Sequence, residues 1–220
     1  MMNQSTNTHK NKRTWGKWLR IATLVGGWIP LAIYIIQALF GNLGFNPAET
    51  ILQRTGRTAI IFLILTLAIT PIRKIFKLSV VGRLRKPLGL FTALYAALHF
   101  ATFAIWDYQL NLALIWNEII GKPFIIFGVI ALVILLALAA TSFRYLQRKW
   151  GKAWKWLHRL VYVAGIMAVI HYLLSIKGDL FNLQGDFTLP FIALVVVSLL
   201  LMVRVQAFYH FIQKWFIPEK

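Results

Sequence analysis

WKWLHRLVYVAGIMAVIHYLLSI, residues 154–176, is a predominantly apolar run that contains two histidines. At about 1.5 Å of rise per residue, a helix of this length crosses the roughly 30 Å hydrocarbon core of a bilayer. An ionisable side chain inside such a span is costly and rare, and it usually faces the bundle interior, where it pairs or binds something. His158 and His171 are therefore candidate site residues. They lie 13 positions apart, roughly 20 Å along a helix and about 140° around it. His158 falls near one membrane face and His171 toward the other.

Composition extends this reading to the whole chain. Of 220 residues, 59% are hydrophobic, well above the share typical of a soluble domain. The absence of cysteine excludes disulfides, Cys-ligated iron–sulfur clusters, thiolate zinc sites and covalent haem attachment, so histidine must hold most of any metal. A net charge of +18 could indicate nucleic acid, but the basic residues fall between apolar runs and report topology instead. No glycine-rich nucleotide motif follows a predicted strand, and no P-loop occurs.

The pattern predicts an all-α integral membrane bundle of six helices. Residues 1–14 read as a disordered basic tail, 15–205 as the six-span domain and 206–220 as an interfacial C-terminal segment. The expected spans begin near Trp18, Arg57, Leu88, Pro123, Trp154 and Leu189. Twenty of the 24 basic residues fall on the side of the termini, and five of the six acidic residues on the other. The positive-inside rule then places both termini in the cytoplasm. Beyond the alternation of spans and loops, the sequence reads as free of internal repeats.

Which histidines can meet follows from depth. Spans three and five run parallel; His99 stands 13 residues past Lys86, and His171 stands 16 past Lys155. The two share a level in the outer half of the bilayer to within about one turn. Two imidazoles at one depth on different helices are the pattern of axial haem ligation, although packing or proton relay by such residues is also known. Nearby small residues, Ala96, Ala97, Ala164, Gly165 and Ala168, offer room for a flat macrocycle or for plain helix contact. His158 has Arg85 and Lys86 opposite it on span three, so it reads either as a ligand or as an interfacial residue. Arg85 is a candidate partner for a haem propionate or a flavin phosphate.

Four segments carry a family resemblance: TGRTAIIFLILTLAITPIRK from Thr55, RKPLGLFTALYAALHF from Arg85, GKPFIIFGVIALVILLALAATS from Gly121 and WKWLHRLVYVAGIMAVIHYL from Trp154. They resemble the MsrQ (YedZ) family, the haem-binding membrane subunit of the periplasmic methionine-sulfoxide reductase system, within the ferric-reductase-like transmembrane superfamily. The resemblance implies a b-type haem with His99 and His171 as iron ligands and His158 as a further haem-associated metal or cofactor position. It also implies an FMN, at no particular residue. Superfamily relatives hold two haems with two histidines on each of two helices. Here Arg85 stands 14 residues before His99, so one haem is expected, or two if His158 finds another partner.

A haem with both axial positions filled by protein carries single electrons. The expected function is therefore a membrane electron-transfer subunit of the bacterial inner membrane, not the sulfoxide-reducing catalytic subunit itself. It would take electrons from the quinone pool or a cytosolic flavin reductase. The resemblance implies the acceptor, an MsrP-like periplasmic molybdopterin subunit that reduces protein-bound methionine sulfoxide. Two other readings stay open from sequence: a quinol-linked cytochrome b for another periplasmic acceptor, and a cofactor-free transporter whose histidines relay protons.

Overall fold

A computed structural model describes residues 3–176 and 187–204, with side chains from residue 14 onward. The described chain is helical throughout its regular structure. Helix α1 spans Asn3–Leu39 and α2 spans Pro47–Ile75. A 3₁₀ segment, Ser79–Leu84, leads into α3, Arg85–Thr102, which ends in a π-turn over Phe103–Asp107. Then follow the short α4, Leu112–Gly121, and α5, Pro123–Ala140. Two short helices, α6 at Arg144–Trp150 and α7 at Lys152–Leu157, precede a 3₁₀ turn at His158–Leu160. Helices α8, Val161–Leu174, and α9, Thr188–Met202, complete the described fold.

Five segments are long and apolar enough to cross a membrane, at Thr14–Leu39, Pro47–Ile75, Ser79–Asp107, Pro123–Ala140 and Lys152–Leu174. Helix α9, expected as the sixth span, has 15 described residues, about 22 Å of rise. The expected interfacial segment 206–220 lies outside the described residues. At the other end, α1 begins at Asn3, within the segment read as an unstructured tail. Residues 3–13 contain neither proline nor glycine, and extending a helix already nucleated by the first span adds one hydrogen bond per residue fixed.

Helices α2 and α3 form one closely packed antiparallel pair and α5 and α8 another, with α3 against α5 and α9 against α8 and α2. Their shared core is Leu63 and Leu67 of α2, Ala93 of α3, Leu135 and Leu138 of α5, Ala164 and Val169 of α8, and Val197 of α9. Small residues make this closeness possible. A Cβ on Gly165 would sit 3.2 Å from Leu67 Cδ1, and Ala164 is fully enclosed. Of the two uses open to these residues from sequence, room for a macrocycle or plain helix contact, the packing shows the helix contact. Large apolar side chains on the outer faces, among them Ile61, Leu65, Val133 and Leu136, remain exposed. Lipid is the solvent that suits such faces.

Polar groups inside the bundle are satisfied locally. Thr66 Oγ1 donates to the Phe62 carbonyl (2.8 Å) and Thr92 Oγ1 to that of Leu88 (3.0 Å). Both bond one turn back on their own helix. Tyr95, with 0% of its surface exposed, ties α3 to α1. Its hydroxyl donates to the Gly27 carbonyl (2.7 Å) and accepts from the Leu31 amide (3.1 Å). Those are the two backbone groups that would pair with each other in an undisturbed helix, and Pro30 lies between them. Gly27 allows the approach, since a Cβ there would lie 2.1 Å from the Phe91 ring.

Candidate functional site

Histidines 99 and 171 meet. Their ring centres are 6.0 Å apart, with planes at 77°. Each ring is held through Nδ1, His99 against the Leu52 carbonyl at 2.8 Å and His171 against the Phe124 carbonyl at 2.8 Å. A carbonyl only accepts, so in both rings the proton belongs on Nδ1, which leaves Nε2 as the lone-pair nitrogen. This is the tautomer and the outer contact that metal-binding imidazoles normally have.

The helices supply these contacts in the same way twice. Leu52 and His99 are 47 positions apart, as are Phe124 and His171. On the same helices, a Cβ on Gly56 would come within 3.0 Å of the His99 ring, and one on Gly128 within 2.7 Å of His171 Nδ1. Adding 72 to Leu52, Gly56 and His99 gives Phe124, Gly128 and His171. The hairpins α2–α3 and α5–α8 thus repeat one arrangement: a carbonyl near the start of the first helix, a glycine one turn on, and a histidine late in the second. This corrects the expectation of no internal repeat. The signal in sequence was the equal Gly-to-His spacing, but the surrounding residues differ enough to hide it.

Two neutral imidazoles with free Nε2 atoms would be a suitable donor set for a haem iron. Ring centres 6.0 Å apart would leave room for one metal bonded to a nitrogen of each ring at about 2 Å per bond. Among the described residues no group of three or more His, Cys, Asp or Glu gathers.

His158 and Arg85 lie away from this pair. They line a cavity of about 460 Å³ at the opposite end of the bundle, together with Lys86, Lys155, Arg159 and Tyr162. The volume falls in the range of small-molecule sites. His158 stacks on Trp154 with ring centres 3.8 Å apart, and its Nδ1 lies 3.1 Å from the Trp154 carbonyl. Its Nε2 is buried and makes no hydrogen bond of good geometry, although the Leu138 backbone lies beside the ring, so a better-placed ligand or water atom would complete it. The 3₁₀ turn at His158–Leu160 interrupts the helix, so the ideal helical angle between His158 and His171 does not apply.

In the first hairpin, the position 72 residues before His158 is Lys86, and no second histidine lines the cavity. Four fixed cations and no carboxylate line it, an environment suited to an anionic group. The sequence had offered Arg85 alone. Lys86, Lys155 and Arg159 were legible only as topology signals. His9 and His210 are outside the described side chains.

Fold and site together define a multi-pass membrane protein organised around a partly buried pair of imidazoles. Residues 55–169 match the family model described as ferric reductase like transmembrane component, and the chain belongs to that family of membrane electron-transfer components. The match includes Gly56, His99, Gly128 and His158, and stops two residues before His171.

Proposed function

We propose that this chain is the MsrQ-type electron-transfer subunit of a bacterial inner membrane. Six spans would place both termini in the cytoplasm and the His99/His171 pair in the periplasmic half. His99 and His171 would hold a b-type haem through Nε2. The basic cavity at the cytoplasmic end would hold FMN, with Arg85, Lys86, Lys155 and Arg159 available to its phosphate and His158 Nε2 to a polar edge. When bound, haem supplies a one-electron carrier and FMN a carrier of one or two electrons.

The observation that carries this reading is the pair of rings 6.0 Å apart, each fixed through Nδ1. Residues of the chain act by holding and orienting. The Leu52 and Phe124 carbonyls set the tautomer, Gly56 and Gly128 leave room for the rings, and apolar helix faces exclude water. Electrons would enter from the quinone pool or a cytosolic flavin reductase. They would leave to an MsrP-like periplasmic molybdopterin subunit that reduces protein-bound methionine sulfoxide, restoring the apolar thioether.

The test is a reduced-minus-oxidised visible spectrum of detergent-purified protein, with haem and FMN quantified per chain. About one haem and one FMN per chain, with electrons delivered to purified sulfoxide-reductase subunit, is the expected result. Colourless protein from haem-replete cells would overturn the haem assignment, and failure to reduce that partner would overturn the choice of acceptor.

A further inference from the structure

Arg204 lies just past the end of α9 and turns back into the bundle. Its Nη2 donates to the Leu67 carbonyl of α2 at 2.5 Å, and its guanidinium carbon lies 4.5 Å from the centre of the Tyr162 ring. Nε and Nη1 are buried and make no hydrogen bond of good geometry, with the Tyr162 side chain alongside the guanidinium. No carboxylate pairs with it among the described residues.

The Leu67 carbonyl is a specific target. In an uninterrupted helix it would accept from the amide of residue 71, which is Pro71 and has no N–H. A carbonyl left open inside an apolar bundle is costly and is normally satisfied by a neighbouring helix. Arg204 supplies that donor from α9. The same guanidinium covers Tyr162, whose ring lines the basic cavity, in a cation–π contact that strengthens when desolvated. One side chain therefore joins a proline-interrupted helix, a cavity wall and the end of α9.

We propose that Arg204 is a positioning residue for the basic cavity, one that closes the open carbonyl on α2 and fixes Tyr162 as part of the wall. The consequence for ligand binding rests on the reading of that cavity as the FMN site; the contact with α2 does not. Arg204 does not line the cavity, so its effect on a ligand passes through Tyr162. In a double-mutant cycle, Arg204→Gln and Tyr162→Leu are each expected to weaken FMN binding by about tenfold, and the double variant no further. The haem α band should stay unchanged, because His99 and His171 are at the other end. Arg204→Lys, which keeps the charge but loses the planar stack, should fall between.

Thermal stability of the haem-loaded protein reads the α2 contact separately. Arg204→Gln should lower Tm by several degrees in the Pro71 background and by much less in Pro71→Ala, where residue 71 regains its amide. Full FMN affinity in Arg204→Gln, or losses that multiply in the double variant, would overturn the positioning role. A wild-type protein that takes up no FMN would overturn the reading of the cavity instead. The proposal would then stand or fall on Tm, with equal losses in both residue-71 backgrounds counting against it.

Discussion

His99 and His171 face each other at 6.0 Å between ring centres, and each is anchored by Nδ1 to a carbonyl 47 positions earlier in the chain. Equal anchoring on two hairpins makes the pair a symmetric structure built from unlike sequence. Its symmetry has a consequence for mutation: neither histidine has a second histidine beside it at its own end of its hairpin, since His158 lies at the opposite end. His99→Ala and His171→Ala should each abolish the b-type spectrum while leaving the protein in the membrane fraction. Full haem absorbance in either variant would remove that residue from the ligand set.

The two glycines should be unequal. A methyl at position 128 would lie 2.7 Å from His171 Nδ1, and one at position 56 at 3.0 Å from the His99 ring. The shorter approach forces His171 off the Phe124 carbonyl, a loss of about 1 kcal/mol for an ordinary hydrogen bond in addition to the moved ligand. Gly128→Ala should lower haem content more than Gly56→Ala, as measured by pyridine haemochrome per milligram of protein. Equal retention would mean that the rings relocate without cost.

Tyr95→Phe removes a hydroxyl that serves both Gly27 and Leu31. Those two backbone groups can then turn to each other, so the expected cost is at the low end of the range for a buried hydrogen-bonded group, about 1 kcal/mol. A Tm lower by a few degrees in detergent, with the haem spectrum intact, is the expected outcome. Tyr95→Ala, which also empties a fully enclosed site, should cost about 3 kcal/mol or more.

At the basic end, flavin and haem should separate. Arg85→Gln and His158→Leu remove a cation and the buried Nε2 from the cavity lining. Each is expected to release most of the FMN, measured as flavin fluorescence after denaturation, while the haem α band is retained. Binding of FMN by the wild type should also weaken with added salt, to the extent that its phosphate is held by partly exposed cations. Loss of haem along with flavin in these variants would place His158 with the iron instead.

Much of this was legible in the chain itself. The apolar runs and the placement of basic residues gave the helical membrane class, because transfer into lipid and charge near an interface add up residue by residue along the sequence. Depth matching of His99 and His171 also followed from sequence, since spans three and five are parallel and each residue adds a fixed rise. What the sequence could not provide was any relationship that depends on side chains meeting across helices. The anchoring carbonyls of Leu52 and Phe124 are invisible to residue-type reasoning, because every residue carries a carbonyl. Gly56 and Gly128 carry no signal until the ring edges beside them are known, whereas Ala164 and Gly165, open from sequence to a cofactor slot or to helix contact, pack helices. The grouping of Arg85, Lys86, Lys155 and Arg159 around His158, and the reach of Arg204 to the carbonyl above Pro71, required the folded chain. Hydropathy and charge are sums along one dimension, but tautomer, cavity and cross-helix donor are each fixed by which distant residues the packing of α2, α3, α5, α8 and α9 brings within a few ångströms.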